Sequence, residues 1–258
     1  MEIALDLFFE NLEKEKIAEL FKNAFPWDPL KTLKTYLSDT IPDLPKEVPV
    51  EIPLPKSLFL TVEGEVIPFE ELKVYNGEYY FKGEKLEGAI LKAGTILMGK
   101  KIFFEKDVIV EPFSIIFSPA YFSQGTQIRH GAYIRGSIYT GEKAVIGHTT
   151  EVKNSIFLSF AKASHFAYVG DSILGKDVNL GAGTKLANLK FTKKEIILTI
   201  NNKVINTDLK KLGAILGDRS QTGCNSVLQP GTLLGKDSFV YPGKVGGPGY
   251  FLPKTKIK

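Results

Sequence analysis

Only three histidines occur in this chain of 258 residues, which makes it worth asking what each one does. His165 opens the stretch HFAYVGDSILGKDVNLGAGTKLAN, with Tyr168 three places on and Asn179 and Asn188 downstream. An imidazole titrates near neutrality and suits the removal of a proton from an attacking group, although a lone histidine in a loop more often just hydrogen-bonds a carbonyl. Two other pairs share one spacing: His130 and His148 are 18 residues apart, and so are Arg135 and Lys153. Stacked cations repel unless an anion lies beside them, such as a phosphate or the carboxylate of Glu151. Two stacked imidazoles joined by His165 could in principle hold zinc. What these residues do depends on whether 18 positions bring side chains together.

The apolar pattern says that they do. From about residue 86, aliphatic or aromatic residues return every six positions. Leu91, Leu97, Phe103, Ile109 and Ile115 form one run, and Ile128, Ile134, Ile146, Val152 and Leu158 a second, interrupted by Thr140. Leu174, Leu180 and Leu186 follow, then Leu216, Leu228, Leu234 and Val240, interrupted by Thr222. A period of six fits neither an α-helix nor simple alternation and predicts a hexapeptide-repeat parallel β-helix, in which three hexads close a triangular coil. Coils stack at about 4.8 Å, so residues 18 apart lie one above the other.

Three regions surround this pattern. Residues 1–85 read as a helical and proline-rich N-terminal region with short β-hairpins. Leu5, Phe8, Phe9, Leu12, Ile17, Leu20 and Phe21 suggest an amphipathic helix over residues 3 to 22, and DPLKTLKTYLSD a second. The prolines of IPDLPKEVPVEIPLPK favour an extended connector, and Asn76-Gly77 a tight hairpin. Residues 86–245 form the β-helix, and 246–258 a tail. Within the β-helix, residues 192–212 lose the hexads and alternate around Asn201-Asn202, which predicts a protruding inserted hairpin. The fold class is therefore all-β, with a small α+β N-terminal part.

The segment EVKNSIFLSFAKASHFAYVGDSILGKDVNLGAGTKLANLKF resembles the acetyltransferase domain of the bifunctional UDP-N-acetylglucosamine pyrophosphorylase/glucosamine-1-phosphate acetyltransferases. With KLGAILGDRSQTGCNSVLQPGT and the insertion, it is still more similar to the archaeal-type sugar-1-phosphate nucleotidylyltransferase/acetyltransferases. The resemblance implies a left-handed helix, acetyl-CoA as cosubstrate, an amino-sugar 1-phosphate as acceptor, and a homotrimer with active sites between subunits. It also implies roles: His165 as general base with Asn188 at the reacting group, and Arg135, Lys153, Tyr168, Asn179 and Lys194 on the substrate. Cys224 and Pro242 would lie along the cofactor, although Cys224 by itself reads as a small buried residue. Leu189 stands where the bacterial proteins have tyrosine, which leaves the acceptor sugar open. No Gly-rich loop followed by arginine occurs, so pyrophosphorylase activity is not expected, and a separate nucleotidyltransferase becomes a conceivable partner.

Composition excludes several other classes. Net charge is +4 with lysines scattered, so no nucleic-acid arm stands out. A single cysteine leaves neither a disulfide nor a Cys-rich metal site. No apolar run reaches the roughly 18 residues of a membrane span, and the acidic N-terminus lacks a signal-peptide pattern, so a soluble cytoplasmic protein is expected. A zinc enzyme of the γ-carbonic-anhydrase kind needs two histidines only a few residues apart, which the chain lacks. A non-catalytic sugar-nucleotide-binding or assembly protein stays as the alternative.

Overall fold

Short strands separated by tight corners repeat from Gly88 to Ile257 and wind into a three-sided parallel β-helix, the fold class the hexads predict. The computed structural model describes residues 3–22 and 25–258. Face I is an eight-stranded sheet that includes Tyr133–Ile134, Glu151–Lys153, Tyr168–Gly170 and Lys185–Leu186. Face II, also eight-stranded, includes Ile138–Thr140, Ser155–Phe157 and Ile173–Leu174, and face III carries Val145–His148, Lys162–His165 and Asn179–Leu180. On face I, Ile116, Ile134, Val152, Val169 and Leu186 stack in register, and all five are fully buried.

Coil length varies, and the expected interior positions shift with it. The step is 18 residues from Ile134 to Val152 but 17 from Val152 to Val169. Phe103, Ile109 and Ile115, expected inside, point outward, while Phe104, Val110 and Ile116 fill the core. An extra residue between Leu97 and Phe104 causes that slip. Leu158 likewise yields its interior place to Phe157, because one residue fewer follows Val152.

The outward side of face II is covered by the chain itself. Phe103, Tyr121, Tyr139, Ile156, Ile173, Ile215 and Leu233 pack against the N-terminal segment through Phe8, Phe9, Phe21, Trp27, Leu30, Leu33 and Leu37. The helix Pro29–Thr40 has proline in its first turn and buries Leu30, Leu33 and Leu37 on one stripe. Residues 3–22 do not form the expected α-helix. They make short 3₁₀ turns at Leu5–Leu7, Leu12–Lys14 and Ala18–Phe21. Phe8 and Phe9 are both buried, whereas neighbours on one helix point about 100° apart. The corner backbone supplies the missing partners: Asp218 N donates to Phe8 O at 2.8 Å and Lys236 N to Leu7 O at 3.0 Å.

The connector plugs the first coil with Leu44, Val48 and Leu54, and Leu58–Thr61 pairs antiparallel with Gly88–Leu91. Asn76 and Gly77 both adopt positive φ, 50° and 79°, as the tight hairpin requires. The inserted hairpin Ile197–Ile200/Lys203–Asn206 turns at Asn201-Asn202, but it does not protrude freely. Its alternate residues Ile196, Leu198 and Ile200 are buried against the apolar cover of face II, because one side of an amphipathic ribbon must leave water. No described helix is long and apolar enough to cross a membrane.

Candidate active site

A buried carboxylate organises the edge of face I. Asp171 is 4% exposed and occupies a corner with φ 47°, a left-handed conformation that aspartate tolerates better than most residues. Asn154 holds the same corner one coil earlier, at φ 43°. Asn154 Nδ2 donates to Asp171 Oδ1 at 3.0 Å, Asn188 Nδ2 donates to Oδ2 at 2.5 Å, and Lys153 Nζ lies 3.4 Å from Oδ2. A buried charge without such partners would cost several kcal/mol, so this knot holds the three side chains in one arrangement.

Asn188 and Tyr168 meet above Gly170. A Cβ on Gly170 would lie 2.7 Å from both Asn188 Nδ2 and the Tyr168 hydroxyl, so a larger residue there would push one of these side chains aside. Burial raises the Tyr168 phenol above its ordinary pKa, which keeps its hydroxyl protonated as a donor. The backbone at Asn188 and Asp171 also closes the insertion: Leu212 N donates to Asn188 O at 3.0 Å and Gly213 N to Asp171 O at 2.8 Å.

Arg135 and Lys153 occupy matching places on neighbouring strands, as their spacing predicts. They do not form a bare cation pair. Arg135 Nη1 donates to Glu151 Oε1 at 2.8 Å, and this carboxylate pushes the guanidinium above its usual pKa. Each cation therefore faces its own carboxylate.

His165 ends a face III strand, and the corner residue Phe166, at φ 51°, turns the chain towards Tyr168 on face I. Its ring is exposed, and among the described residues it takes part in no hydrogen bond. Backbone bonds build a column upward from this corner. Gly183 N donates to His165 O, Asn225 N to Ala182 O and Gly243 N to Cys224 O, at 3.0, 2.8 and 2.8 Å. His165, Ala182, Cys224 and Pro242 thus occupy one edge on successive coils. Cys224 is exposed rather than buried, because it sits on that corner and not on an interior strand. An open groove of about 370 Å³ adjoins the far end, lined by Gln221, Gly223, Phe239, Tyr241, Pro242 and Lys256.

The other candidates fall elsewhere. Asn179 lies on face III between Lys162 and Gln221, away from the Asp171 knot. Lys194 is exposed in the loop before the inserted hairpin. His130 and His148 stack as predicted, with ring centroids 5.4 Å apart and planes 22° from parallel. His148 Nδ1 donates to His130 O at 2.9 Å, and Phe113 and Phe166 cap the column edge-on. That is a stack of rings, whereas metal ligands point their nitrogens at one centre. Asp171, Asn154 and Gly170 were missed by sequence reading. Their signal was the recurrence of an Asn-Ser and an Asp-Ser pair, 17 residues apart, the first directly after Lys153 and the second three places after Tyr168.

No family model matches the chain. The bifunctional sugar-1-phosphate nucleotidylyltransferase/acetyltransferase of Sulfurisphaera tokodaii is 38% identical over 145 residues, 56% of this chain and 36% of that protein. The bifunctional protein GlmU of Methanococcus maripaludis is 38% identical over 109 residues, 42% of this chain and 26% of its own length. That of Methanococcus aeolicus is 30% identical over 203 residues, 69% of this chain and 49% of its own. These proteins are homologues over the matched residues, and the chain spans at most about half of their length. Among solved structures, a mutant perosamine N-acetyltransferase from Caulobacter crescentus, in complex with CoA and GDP-perosamine, is 18% identical and covers 58% of this chain and 51% of its own. Its TM-score of 0.24 is too low to compare sites.

Proposed function

We propose that this homologue of bifunctional acetyltransferases moves an acetyl group from acetyl-CoA to the amine of an amino-sugar 1-phosphate. The observation that carries the reading is the edge on which His165 stands between the column of Ala182, Cys224 and Pro242, read as a donor track, and the polar outer side of face I, read as the acceptor face. From His165 to Pro242 the track climbs three coils, about 14 Å at the ordinary strand spacing, a length suited to an extended pantetheine arm. The groove at its end offers the exposed rings of Phe239 and Tyr241 to the apolar part of the arm and Lys256 to the phosphates of the nucleotide that carries it. Acetyl-CoA supplies the activated thioester.

The chain's own groups then divide the work. The sugar lies on face I against Tyr168, with Arg135 and Lys153 towards its phosphate, and its amine faces His165. As the nitrogen attacks the thioester carbonyl, the His165 imidazole accepts the amine proton. Asn188 or a backbone amide donates to the tetrahedral oxyanion, whose collapse expels the CoA thiolate. Asp171 positions Lys153 and Asn188 and touches neither substrate. Asn179 lies on a different face from the knot and Lys194 in an exposed loop, and a homotrimer would bring such residues to a neighbouring edge. Tyr133 and Val245 on face I and Asn179 and Phe239 on face III stay exposed for that packing.

The deciding experiment follows thiol release from acetyl-CoA with a panel of amino-sugar 1-phosphates. Release that depends on one sugar supports the reading and names the acceptor. Silence across the panel, with acetyl-CoA failing to bind, favours the sugar-nucleotide-binding or assembly role.

A further inference from the structure

The charge balance of face I leaves one cation over. Arg135 is paired with Glu151 at 2.8 Å and Lys153 with Asp171 at 3.4 Å, so these four groups sum to no net charge. Lys185 stands one coil beyond Tyr168, directly opposite it in register, with an exposed side chain. Its ammonium is held by carbonyls alone, donating to Gly183 O at 2.8 Å and Phe166 O at 3.1 Å. Among the described residues no carboxylate forms a salt bridge with it. Those carbonyls belong to the residues that follow His165 and Ala182, so the uncompensated charge sits where the proposed donor track meets the acceptor face.

We infer that Lys185 binds a phosphate group of one of the two substrates and so completes an anion site that Arg135 and Lys153 alone do not provide. This rests on the acetyltransferase reading for the identity of the substrates, while the geometry requires only that the ligand carry phosphate. A dianionic phosphate approaching face I meets two ion pairs, whose carboxylates repel it almost as strongly as the cations attract it. A third cation at the rim, fixed in direction by two carbonyls, turns that balance in the ligand's favour and can exchange a carbonyl for a phosphate oxygen without moving the backbone. Lys185 is exposed, so a ligand can reach its ammonium from solvent.

The test measures binding by calorimetry and turnover by thiol release, on the full chain and on Lys185→Met and Lys185→Arg. Glucosamine 1-phosphate and coenzyme A serve as binding probes, the first compared with its dephosphorylated counterpart, glucosamine, and the second with pantetheine, which lacks its phosphates together with the adenosine. Loss of one charge-assisted contact should weaken a phosphorylated probe about tenfold in Lys185→Met, leave its dephosphorylated counterpart unchanged, and be largely restored in Lys185→Arg. A loss confined to the sugar assigns Lys185 to the acceptor phosphate, and one confined to coenzyme A assigns it to the donor. Equal affinity of the wild type and Lys185→Met for both phosphorylated probes overturns the inference, as does absence of binding to the wild type. Thiol release by the wild type judges the acetyltransferase reading separately: a silent protein that still needs Lys185 for phosphate keeps the anion site and loses the reaction.

Discussion

Faces I and II are built from the same coils, by the same hexads, and meet water in opposite ways. On face II the outward residues are Phe103, Tyr121, Tyr139, Ile156, Ile173, Ile215 and Leu233, and the N-terminal segment and the inserted hairpin cover them. On face I the corresponding residues include Arg135, Glu151, Lys153, Tyr168 and Lys185, and among the described residues no apolar cover packs over them. The interior stripe specifies a coil and is indifferent to what lies outside it. Outward residues decide whether a face becomes a packing surface or a place for chemistry.

If that division holds, variants on the two faces should separate stability from activity. His165→Ala should lower kcat by roughly 10² to 10⁴, the usual effect of a lost general base, with Tm unchanged because the ring is exposed. A turnover equal to wild type would remove His165 from the mechanism. The opposite signature is expected beneath the cover. Leu33→Ala removes a fully buried side chain and should cost about 2–5 kcal/mol in chemical denaturation, while acetyl-CoA binding at low temperature is retained.

The comparison sharpens at Asp171, where fold and site share a residue. Asp171→Asn presents an NH₂ group to donors that had an acceptor, and should cost about 1–3 kcal/mol of stability. Because Lys153 and Asn188 lose their anchor together, KM for the acceptor should rise in the same variant. A stability loss with unchanged KM would make the knot purely structural.

The smallest effect belongs to the latch that holds the cover down. Glu10 accepts from Arg219 at 2.8 Å and from Lys236 at 2.6 Å, and these cations lower its carboxyl from 4.5 to about 2. A depressed carboxyl stabilises the fold above its unfolded pKa, so this contribution is whole above pH 4.5 and vanishes as pH falls towards 2. The pair is well exposed, so Glu10→Gln should cost only about 0.5–1 kcal/mol at pH 7. Denaturation curves of the two proteins should converge in acid, and a difference that persists at pH 2 would point to packing instead.

Hexads alone were enough to read the coil, its three faces and the stacking of His130 on His148 and of Arg135 beside Lys153, because a six-residue period admits one way of burying its apolar residues. The KNS, KASH and YVGDS motifs likewise marked Lys153, His165 and Tyr168 without coordinates. Local spacing could not reveal a corner one residue longer or shorter, so Phe104 and Phe157 displaced the expected Phe103 and Leu158. Nor could it reveal partners. Phe8 lies beneath Tyr250, their rings 5.7 Å apart, and the segment around it became 3₁₀ turns because a flat sheet and its corner amides, far away in the chain, competed with the helix. The role of Asp171 and the carboxylate-free ammonium of Lys185 emerged only when successive coils were stacked, since charge pairing depends on distances of a few ångströms between residues that sequence separates by a whole turn of the helix.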